Sequence, residues 1–290
     1  MKNYADLTVI VPAYNEGLSV RATLEELRKT LPDASIIVVN DGSTDNTQAE
    51  ISKVQNIVLI NHENNRGMGA ALKAGMRAAQ TRCLAWYDAD GQHRCEDLIK
   101  IVEPVLSGRK DVVIGVRDRD SNQQLERLPG KFILKWFIES MAEQKIPDFN
   151  SGLRCFRKDV INRYLHLLPD GFSASTTSTL LMINRGYNIG YEPVTALKRK
   201  GKSSLRMRDG FVTLHMILRT AILFKAFRFF LALSILQILP GILYGFCVAV
   251  TRGKGFPVLA SLAVTSGVLT FFMGIIADQI VELRKEKFEN

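Results

Sequence analysis

The sequence predicts an α/β protein with a mainly parallel sheet, followed by two helices that cross a membrane. Through the N-terminal two thirds of the chain, apolar runs alternate with segments of helical periodicity, which is typical of a parallel sheet with helices on both faces. The apolar runs are unbroken, as expected of strands buried on both faces. The C-terminal part instead contains two long runs without charge, residues 229–250 and 256–277.

Strands and helices are predicted in strict alternation up to residue 90. The predicted strands are residues 7–14, 34–43, 56–63 and 82–90. The predicted helices between them are residues 18–31, 44–54 and 67–80. Ligands of such sheets bind beyond the carboxyl ends of the strands. The functional site is therefore expected where these strands end.

Acidic residues follow three of the predicted strands. Glu16 follows the first strand, Asp41 lies at the end of the second, and Asp88 and Asp90 lie at the end of the fourth. Because neighbouring parallel strands end at one edge of the sheet, the topology brings these residues together. This convergence favours a binding or catalytic role for Asp88 and Asp90 over the ordinary role of aspartate in turns. Two carboxylates suit Mg²⁺ or Mn²⁺ when substrate oxygens and water complete the shell.

Two common nucleotide-binding motifs are missing. No GxGxxG follows the first strand and no GxxxxGK[ST] occurs in the sequence, which argues against a dinucleotide-dependent dehydrogenase and a P-loop nucleotidase. Gly67 and Gly69 follow the third strand instead. They are expected to form a tight turn at the start of a helix and to let backbone approach a ligand.

The formal net charge of +9 indicates an anionic partner, which could be a nucleic acid, a membrane surface or a phosphorylated substrate. A nucleic acid is disfavoured because no aromatic platform or binding motif accompanies the basic run at 198–208. The four cysteines form no CxxC pair, so reduced thiols are expected rather than a zinc site.

The two charge-free runs are each long enough to cross a bilayer, since about 20 apolar residues span the hydrocarbon core. The alternative is a pair of buried helices in a soluble core. Residues 251–255 are too short a connection for anything but a hairpin, and Pro240 is expected to kink the first span. More basic residues flank the spans on the side of the large domain than lie in the connection, so an integral membrane protein with a cytoplasmic catalytic domain is predicted.

The predicted organisation has three parts. Residues 1–205 form the α/β domain, residues 206–228 form an amphipathic interfacial helix, and residues 229–290 form the hairpin with a cytoplasmic tail. Residues 128–148 are predicted to form a further amphipathic element at the bilayer surface, with a core helix as the alternative. Small residues in the second span, Gly267 among them, would allow a homo-oligomer through helix packing.

Five motifs resemble, in order, those of the family-2 glycosyltransferases with the GT-A fold. They are VIVPAYNEG, VVNDGSTDNT, NRGMGAALKAG, DADGQH and FNSGLRCFRKD. The later ALKRKGKSSLRMRDG and the hairpin are similar to the polyprenyl-phosphate branch of the family, which includes dolichol-phosphate mannosyltransferases and bactoprenol glucosyltransferases. The resemblance implies inverting transfer of a sugar from a nucleotide sugar, such as UDP-glucose or GDP-mannose, to a polyprenyl or dolichyl phosphate.

Two alternatives to this activity remain open. The acceptor would be a soluble glycan or a glycerolipid in one, and the protein would be a non-catalytic scaffold that binds nucleotide sugar in the other. The QxxRW motif of processive polysaccharide synthases does not occur in the sequence, which favours a single transfer.

The resemblance implies roles for individual residues. The residues expected to hold the nucleotide and the sugar are Pro12, Ala13, Tyr14, Glu16, Asp41, Gly67, Ala89, Ser151, Gly152 and Arg154. Asp88 and Asp90, with Gln92, are expected to bind Mg²⁺ or Mn²⁺ at the sugar diphosphate, and Asp90 is also a candidate base. The residues expected at the phosphates are Arg117, Arg199, Lys202 and Ser203.

Three positions depart from the family pattern. Asn40 stands where the family often has Asp, which affects the ribose contacts or the metal surroundings. Ser204 stands where the family has Lys, so that one phosphate contact would pass to Lys202 or Arg206. His93 is followed by Arg94 rather than by Pro, and it is interpreted as a structural residue.

Overall fold

The computed structural model describes residues 3–117, 139, 144–171, 173–197, 209–253 and 255–289. The chain divides into two compact units, Met1–Met207 and Arg208–Asn290. The strands of the first unit are β1 (Leu7–Ala13), β2 (Ser35–Asp41), β3 (Val58–His62), β4 (Cys83–Trp86), β5 (Val112–Arg117), β6 (Arg154–Arg157) and β7 (Ile189–Val194). Its helices are α1 (Val20–Thr30), α2 (Thr47–Ile51), α3 (Met68–Ala78), α4 (Cys95–Leu106), α5 (Lys158–Asn162) and α6 (Ala174–Asn184).

In the described part of the first unit, the strands form one sheet in the order β3-β2-β1-β4-β6-β5-β7. β1 is parallel to β2 and β4, β2 is parallel to β3, and β5 is parallel to β7. β6 is antiparallel to both of its neighbours, β4 and β5. The sheet is mainly parallel, as predicted, and it contains one reversed strand that the prediction did not include.

The reversed strand brings a distant segment to the predicted edge of the sheet. Because β6 runs against β4, its first residue, Arg154, pairs with Trp86 at the end of β4. The residues just before β6 therefore lie beside the residues just after β4. Gly152 consequently contacts Asp88, so closely that a Cβ atom built on Gly152 would overlap the carboxylate.

The central strands of the sheet are buried beneath helices. Val9, Val11 and Val38 are fully buried, as the unbroken apolar runs predicted. α3 lies so close to β1 that a Cβ on Gly75 would overlap the Ile10 side chain. Burying a side chain such as Val or Ile contributes about 1.5–3 kcal/mol, so the centre of the sheet holds the loops at its edge in place.

β4 ends at Trp86, whereas the prediction extended this strand to residue 90. The chain leaves the extended conformation after Trp86 and turns at Gly91, whose φ of 73° is unfavourable for residues with a side chain. Asp88 and Asp90 therefore lie in the loop between β4 and α4. Both aspartates still follow β4 at the carboxyl edge of the sheet, as predicted.

Two long helices make up the second unit, α7 (Asp209–Arg252) and α8 (Val258–Glu289). The segments Lys225–Arg252 and Val258–Leu283 within them are long and apolar enough to cross a membrane. The backbone of α7 leaves helical geometry at Lys225 (φ −145°, ψ 53°) rather than at Pro240, where the kink was predicted. This break coincides with the beginning of the apolar segment.

The two helices of the second unit form an antiparallel hairpin. Gly274 lies against Phe230, and Gly267 lies against Ile238, so closely that a Cβ atom on either glycine would overlap the opposite side chain. Small residues thus allow the helices to pack, as they do between membrane helices. Gln237 in α7 accepts a 2.8 Å hydrogen bond from the Ser266 hydroxyl of α8.

Several predictions fall outside the described residues. These are the roles of Arg199, Lys202, Ser203 and Ser204, the basic run at 198–208, and most of the amphipathic element at 128–148. The backbone of 209–228 is helical except at Lys225, and the interfacial location of this segment stays a prediction.

Candidate active site

The loops after β1 and β2 are joined by hydrogen bonds. The Asn15 amide donates to Ser43 Oγ (3.0 Å), and the Asn15 side chain accepts from the Thr44 amide (2.8 Å). The Glu16 amide donates to Thr47 Oγ1 at the start of α2 (2.8 Å). These bonds hold Asn15 at a φ of 54°. The first edge of the site is therefore preformed.

Four predicted nucleotide-binding residues lie on this edge with different exposures. Ala13 is buried, Pro12 and Glu16 are half-buried, and the Tyr14 ring is 44% exposed. Tyr14 is thus an aromatic surface that a planar base can contact. The Glu16 carboxylate accepts a 3.2 Å hydrogen bond from the Ser19 hydroxyl at the start of α1.

Asp41 is buried at the end of β2, where its carboxylate accepts three hydrogen bonds. The donors are His62 Nδ1 (2.7 Å), the Arg66 amide (3.0 Å) and the Gly67 amide (2.8 Å). Asp41 is only 2% exposed. Its position at the sheet edge agrees with the prediction, and its described contacts all lie within the protein. Asp41 therefore shapes the loop that starts α3.

Asn40 also has partners within the protein. Its amide nitrogen donates to Asn61 Oδ1 (3.0 Å), and its amide oxygen accepts from the Ser43 backbone (3.2 Å). Asn40 is buried. Asn40, which stands where the family often has Asp, thus forms a neutral side-chain pair with Asn61 on the adjacent strand, next to Asp41.

Gly67 and Gly69 allow two backbone segments to approach each other. Gly67 precedes α3 with a φ of 97°, and a Cβ built on it would lie 2.5 Å from the Asp170 carbonyl oxygen. A Cβ on Gly69 would overlap the Pro169 carbonyl. The turn at the helix start was predicted. These glycines were also expected to let backbone approach a ligand. In the structure they let the backbone of residues 169–170 approach the start of α3.

Asp88 is held by a neighbouring histidine. Its Oδ2 lies 3.2 Å from Nε2 of His93, and its side chain is 26% exposed. Burial acts to raise the pKa of Asp88, but the hydrogen bond from His93 and the charges of Arg117 and Arg154 outweigh it and hold the pKa below its ordinary value. Asp88 is therefore ionised at neutral pH.

The Asp90 loop is tied to the segment after β7. Asp90 accepts a 3.0 Å hydrogen bond from the backbone N–H of Gln92. Ala89, which precedes Asp90, is buried. Gln92 bonds to Leu197 twice: its carbonyl accepts from the Leu197 amide (2.8 Å), and its side-chain nitrogen donates to the Leu197 carbonyl (3.2 Å). These bonds hold the loop that carries both aspartates against residue 197.

Arg117 forms a bidentate ion pair at the end of β5. Its Nε and one terminal nitrogen donate to the two oxygens of Asp148, at 2.8 and 3.1 Å. Burial acts to lower the pKa of Arg117, but the bonds to Asp148 and the charge of Asp88 raise it above its ordinary value. Arg117 is therefore a fixed positive charge that acts electrostatically on Asp88.

Arg154 is fully buried below the Ser151–Gly152 segment. Its guanidinium donates to the Ser151 carbonyl (3.0 Å from Nε), to the Ser175 carbonyl (2.7 Å) and to Ser178 Oγ (2.8 Å). Its Cζ lies 5.5 Å from the centroid of the Trp86 ring. Burial lowers the pKa of Arg154 to about 10. Arg154 thus supports Ser151 from the interior, and Gly152 contacts Asp88. The place of Ser151, Gly152 and Arg154 beside the sugar stays a prediction.

The ligand set of the site fits a divalent cation shared with a substrate. Mg²⁺ and Mn²⁺ prefer hard oxygen ligands. Such atoms are present here in the carboxylates of Asp88 and Asp90 and in the side-chain amide of Gln92. Among the residues that the structure describes, no three His, Cys, Asp or Glu side chains converge into a complete metal-binding group. If a divalent cation binds here, the side chains of Asp88, Asp90 and Gln92 would supply part of its coordination shell and substrate oxygens the rest.

The sequence profile of the family described as "Glycosyl transferase family 2" matches residues 8–165, which contain most of this site. The chain belongs to glycosyltransferase family 2. A second profile, described as "GtrB C-terminal hairpin", matches residues 227–283. The family-2 domain and the hairpin therefore account for both compact units.

Curated relatives of this glycosyltransferase come from archaea and bacteria. An uncharacterised protein of Methanocaldococcus jannaschii is 33% identical over 204 residues, which are 67% of this chain and 83% of the relative. The UDP-N-acetylglucosamine–dolichyl-phosphate N-acetylglucosaminyltransferase of Methanococcus voltae is 28% identical over 65% of this chain and 84% of its own. The undecaprenyl-phosphate mannosyltransferase of Micrococcus luteus is 27% identical over 68% and 86%, respectively.

Solved structures show the same GT-A fold. Glucosyl-3-phosphoglycerate synthase from Mycobacterium tuberculosis, in complex with Mn²⁺ and UDP-glucose, superposes with a TM-score of 0.57 at 17% identity, covering 74% of this chain and 77% of that one. Its complex with Mg²⁺ and UDP gives a TM-score of 0.56 at 16% identity, covering 74% and 78%. Both ions predicted here thus occur in structural neighbours.

Sequence reasoning did not name two residues that contact predicted site residues: His62 bonds to Asp41, and Asp148 pairs with Arg117. It did name His93, as a structural residue, and His93 bonds to Asp88. His62 gave a signal, because it is the last residue of β3. Asp148 precedes the FNSGLR segment, and its partner became apparent only from the pairing of β5 with β6.

Proposed function

We propose that this family-2 glycosyltransferase transfers one sugar from a nucleotide-sugar donor to a polyprenyl or dolichyl phosphate at the cytoplasmic face of a membrane. The observation that carries the proposal is the loop after β4, in which Asp88 bonds to His93 and Asp90 to the Gln92 backbone, in a chain that also has an apolar hairpin. The names of the Methanococcus voltae and Micrococcus luteus relatives support this class of acceptor.

Asp88 and Asp90, with the oxygen of Gln92, would hold Mg²⁺ or Mn²⁺ at the donor diphosphate. The bound ion would neutralise charge on the departing nucleoside diphosphate. Asp88 is suited to this role because its pKa lies below its ordinary value, so it carries its negative charge throughout the neutral range. Gln92 directs its nitrogen to Leu197, which orients the amide.

The acceptor phosphate is already a nucleophile at neutral pH, since the second pKa of a phosphate monoester is about 6. In the proposed reaction, one of its oxygens forms a bond to the anomeric carbon from the side opposite the donor. The bond from that carbon to the diphosphate breaks, and its electron pair leaves with the nucleoside diphosphate. Attack from the opposite side inverts the anomeric configuration. No strong base is needed, and Asp90 would assist when the phosphate is protonated.

The remaining residues are assigned by position. We propose that the exposed Tyr14, with Pro12, Ala13 and Glu16, borders the nucleotide, and that Asp41 shapes the adjacent loop through Gly67. Ser151, Gly152 and the buried Ala89 border the sugar, with Arg154 supporting Ser151 from below.

Positive charge is needed where the donor and acceptor phosphates meet. We propose that Arg117, fixed by Asp148, supplies part of it. Arg199, Lys202 and Ser203 are proposed to supply the other contacts to phosphate, since Arg and Lys both bind phosphate through charge-assisted hydrogen bonds.

An assay with every combination of donor and acceptor tests the proposal. Detergent-solubilised protein is incubated with Mn²⁺, a panel of UDP- and GDP-sugars, and either polyprenyl phosphate, diacylglycerol or a soluble glycan. The mass of the product identifies both the sugar and the acceptor. We expect a sugar–phosphate–polyprenol from at least one donor. A product formed only on the glycan or the glycerolipid would establish the alternative acceptor, and binding without any product would indicate a scaffold.

A further inference from the structure

His93 lies next to Asp88, in an orientation that is fixed from two sides. Its side chain is 5% exposed, and its Nε2 is 3.2 Å from Asp88 Oδ2. Its backbone carbonyl accepts a 2.6 Å hydrogen bond from the Tyr87 hydroxyl, and the two rings meet edge to face with centroids 5.7 Å apart. The imidazole is therefore held by packing as well as by its bond to the carboxylate.

The two ring nitrogens of His93 have different surroundings. Nδ1 is buried and has no hydrogen-bond partner among the described residues, whereas Nε2 faces the carboxylate of Asp88. A proton on Nδ1 alone would bury an unpaired donor and would set the Nε2 lone pair against a carboxylate oxygen, both of which are unfavourable. The hydrogen-bond network thus assigns a proton to Nε2, which donates to Asp88 Oδ2.

Asp88 has little freedom to move away from this bond. Gly152 lies against its carboxylate, so closely that a Cβ atom would overlap Oδ2 and would lie 3.0 Å from Oδ1. With Oδ2 bonded to His93, Oδ1 is the oxygen that the described contacts leave for a ligand. His93 and Gly152 together fix the orientation of the carboxylate before any substrate binds.

We propose that His93 is a positioning residue, which holds Asp88 so that Oδ1 faces the divalent cation of the donor diphosphate. A hydrogen-bonded partner of this kind orients a metal-binding side chain and raises its affinity for the metal. The inference rests on the proposed function only in taking Asp88 as a metal ligand. It does not depend on which sugar or acceptor is used.

Three substitutions separate this role from simple packing. His93→Gln can place an amide nitrogen near the position of Nε2 and keep the bond to Asp88. His93→Asn is also an amide, but it is shorter and reaches only near the position of Nδ1. His93→Phe keeps the ring and removes the donor. The exposed His166 provides matched controls, His166→Gln and His166→Phe.

Mn²⁺ affinity is measured by the loss of the free-ion electron paramagnetic resonance signal, in the presence of UDP and separately of GDP. Nucleotide affinity without metal is measured in parallel by calorimetry. Full-length protein is used throughout, and tryptophan emission, to which the buried Trp86 contributes, reports folding. We expect His93→Phe and His93→Asn to bind Mn²⁺ about tenfold or more weakly, and His93→Gln to stay within about threefold of the wild type. Metal-free nucleotide affinity should be unchanged.

Equal Mn²⁺ affinity in all His93 variants, or equal weakening in His93→Gln and His93→Asn, would overturn the inference and leave His93 a packing residue. The inference also fails if Asp88→Asn binds Mn²⁺ as tightly as the wild type, or if the wild type does not bind it with either nucleotide. Should His93→Phe not fold, the comparison of Gln with Asn decides. A His93-dependent Mn²⁺ affinity without transfer to polyprenyl phosphate would instead refute only the proposed function.

Discussion

At the scale of single residues, the contact between Gly152 and Asp88 leaves no room for a side chain at position 152. Gly152→Ala adds a methyl group where the carboxylate lies, so Asp88 or the segment before β6 must shift. Because a displacement of about 1 Å in a catalytic group can cost on the order of a hundredfold in rate, we expect a loss of that size in the initial rate of sugar transfer.

The matched control for this substitution is Gly171→Ala, because a Cβ on Gly171 would meet no atom of the described residues within 4 Å. Gly171→Ala should retain the wild-type rate. If both alanine variants transfer sugar at the same rate, the orientation of Asp88 does not limit the reaction.

Asp41 was predicted to contact the nucleotide, and its carboxylate accepts hydrogen bonds from three groups of the protein itself. Its three donors require an acceptor on both carboxylate oxygens, and an Asn would turn an NH₂ group toward at least one of them. We expect Asp41→Asn to lower the free energy of unfolding by about 1–3 kcal/mol, measured by chemical denaturation followed through tryptophan fluorescence. Asp33→Asn, at an exposed position, should change it little. Equal stability of the two variants would show that the Asp41 carboxylate is not needed for the loop.

At the scale of elements, the first four strands and the three helices between them were predictable because each strand is an unbroken apolar run and each helix has a periodic apolar face. The site edge followed from topology. The reversed β6 was not predictable in the same way, because Arg154–Arg157 is short and its antiparallel pairing joins it to strands far away in the sequence. The ion pair of Arg117 with Asp148 depends on that arrangement.

Arg154 tests the role of the reversed strand. Its guanidinium bonds to two carbonyls and to side chains of α6, and a lysine has too few donors and a different shape to replace it. We expect Arg154→Lys to lower the free energy of unfolding by at least about 2 kcal/mol, since each unsatisfied buried group costs about 1–3 kcal/mol.

Arg157→Lys, in the same strand at a half-exposed position, is the matched control and should cost less than about 1 kcal/mol. Chemical denaturation of both variants provides the comparison. If Arg154→Lys is as stable as Arg157→Lys and loses only sugar binding, Arg154 is a substrate contact, as the resemblance first implied.

At the scale of the whole molecule, the hairpin is proposed to place the catalytic unit in the cytoplasm. A cysteine at Thr251, between the charge-free runs 229–250 and 256–277, should then be labelled by a membrane-impermeant maleimide from the outside of intact cells. A cysteine at Asp33 should be labelled only after permeabilisation. Labelling in the opposite order would reverse the proposed orientation.

The native thiols do not interfere with this topology measurement. Burial raises the pKa of Cys83 and Cys95 to about 11 and that of Cys155 well above its ordinary value, so these thiols are protonated and inaccessible at neutral pH. Cys247 is exposed and is replaced by serine in the parent protein. The unlabelled parent then serves as the blank.

In the proposed reaction, Asp88 and Asp90 act on a nucleotide sugar, and the acceptor is a lipid phosphate. The most direct test is the mass of the lipid formed from polyprenyl phosphate by purified full-length protein, with Mn²⁺ or with EDTA, for the wild type and for Asp90→Asn. We expect the lipid to gain one sugar only with the wild type and only with the metal, while Asp90→Asn stays folded. A lipid of unchanged mass with every donor, or the same gain in EDTA or in Asp90→Asn, would contradict the proposed reaction.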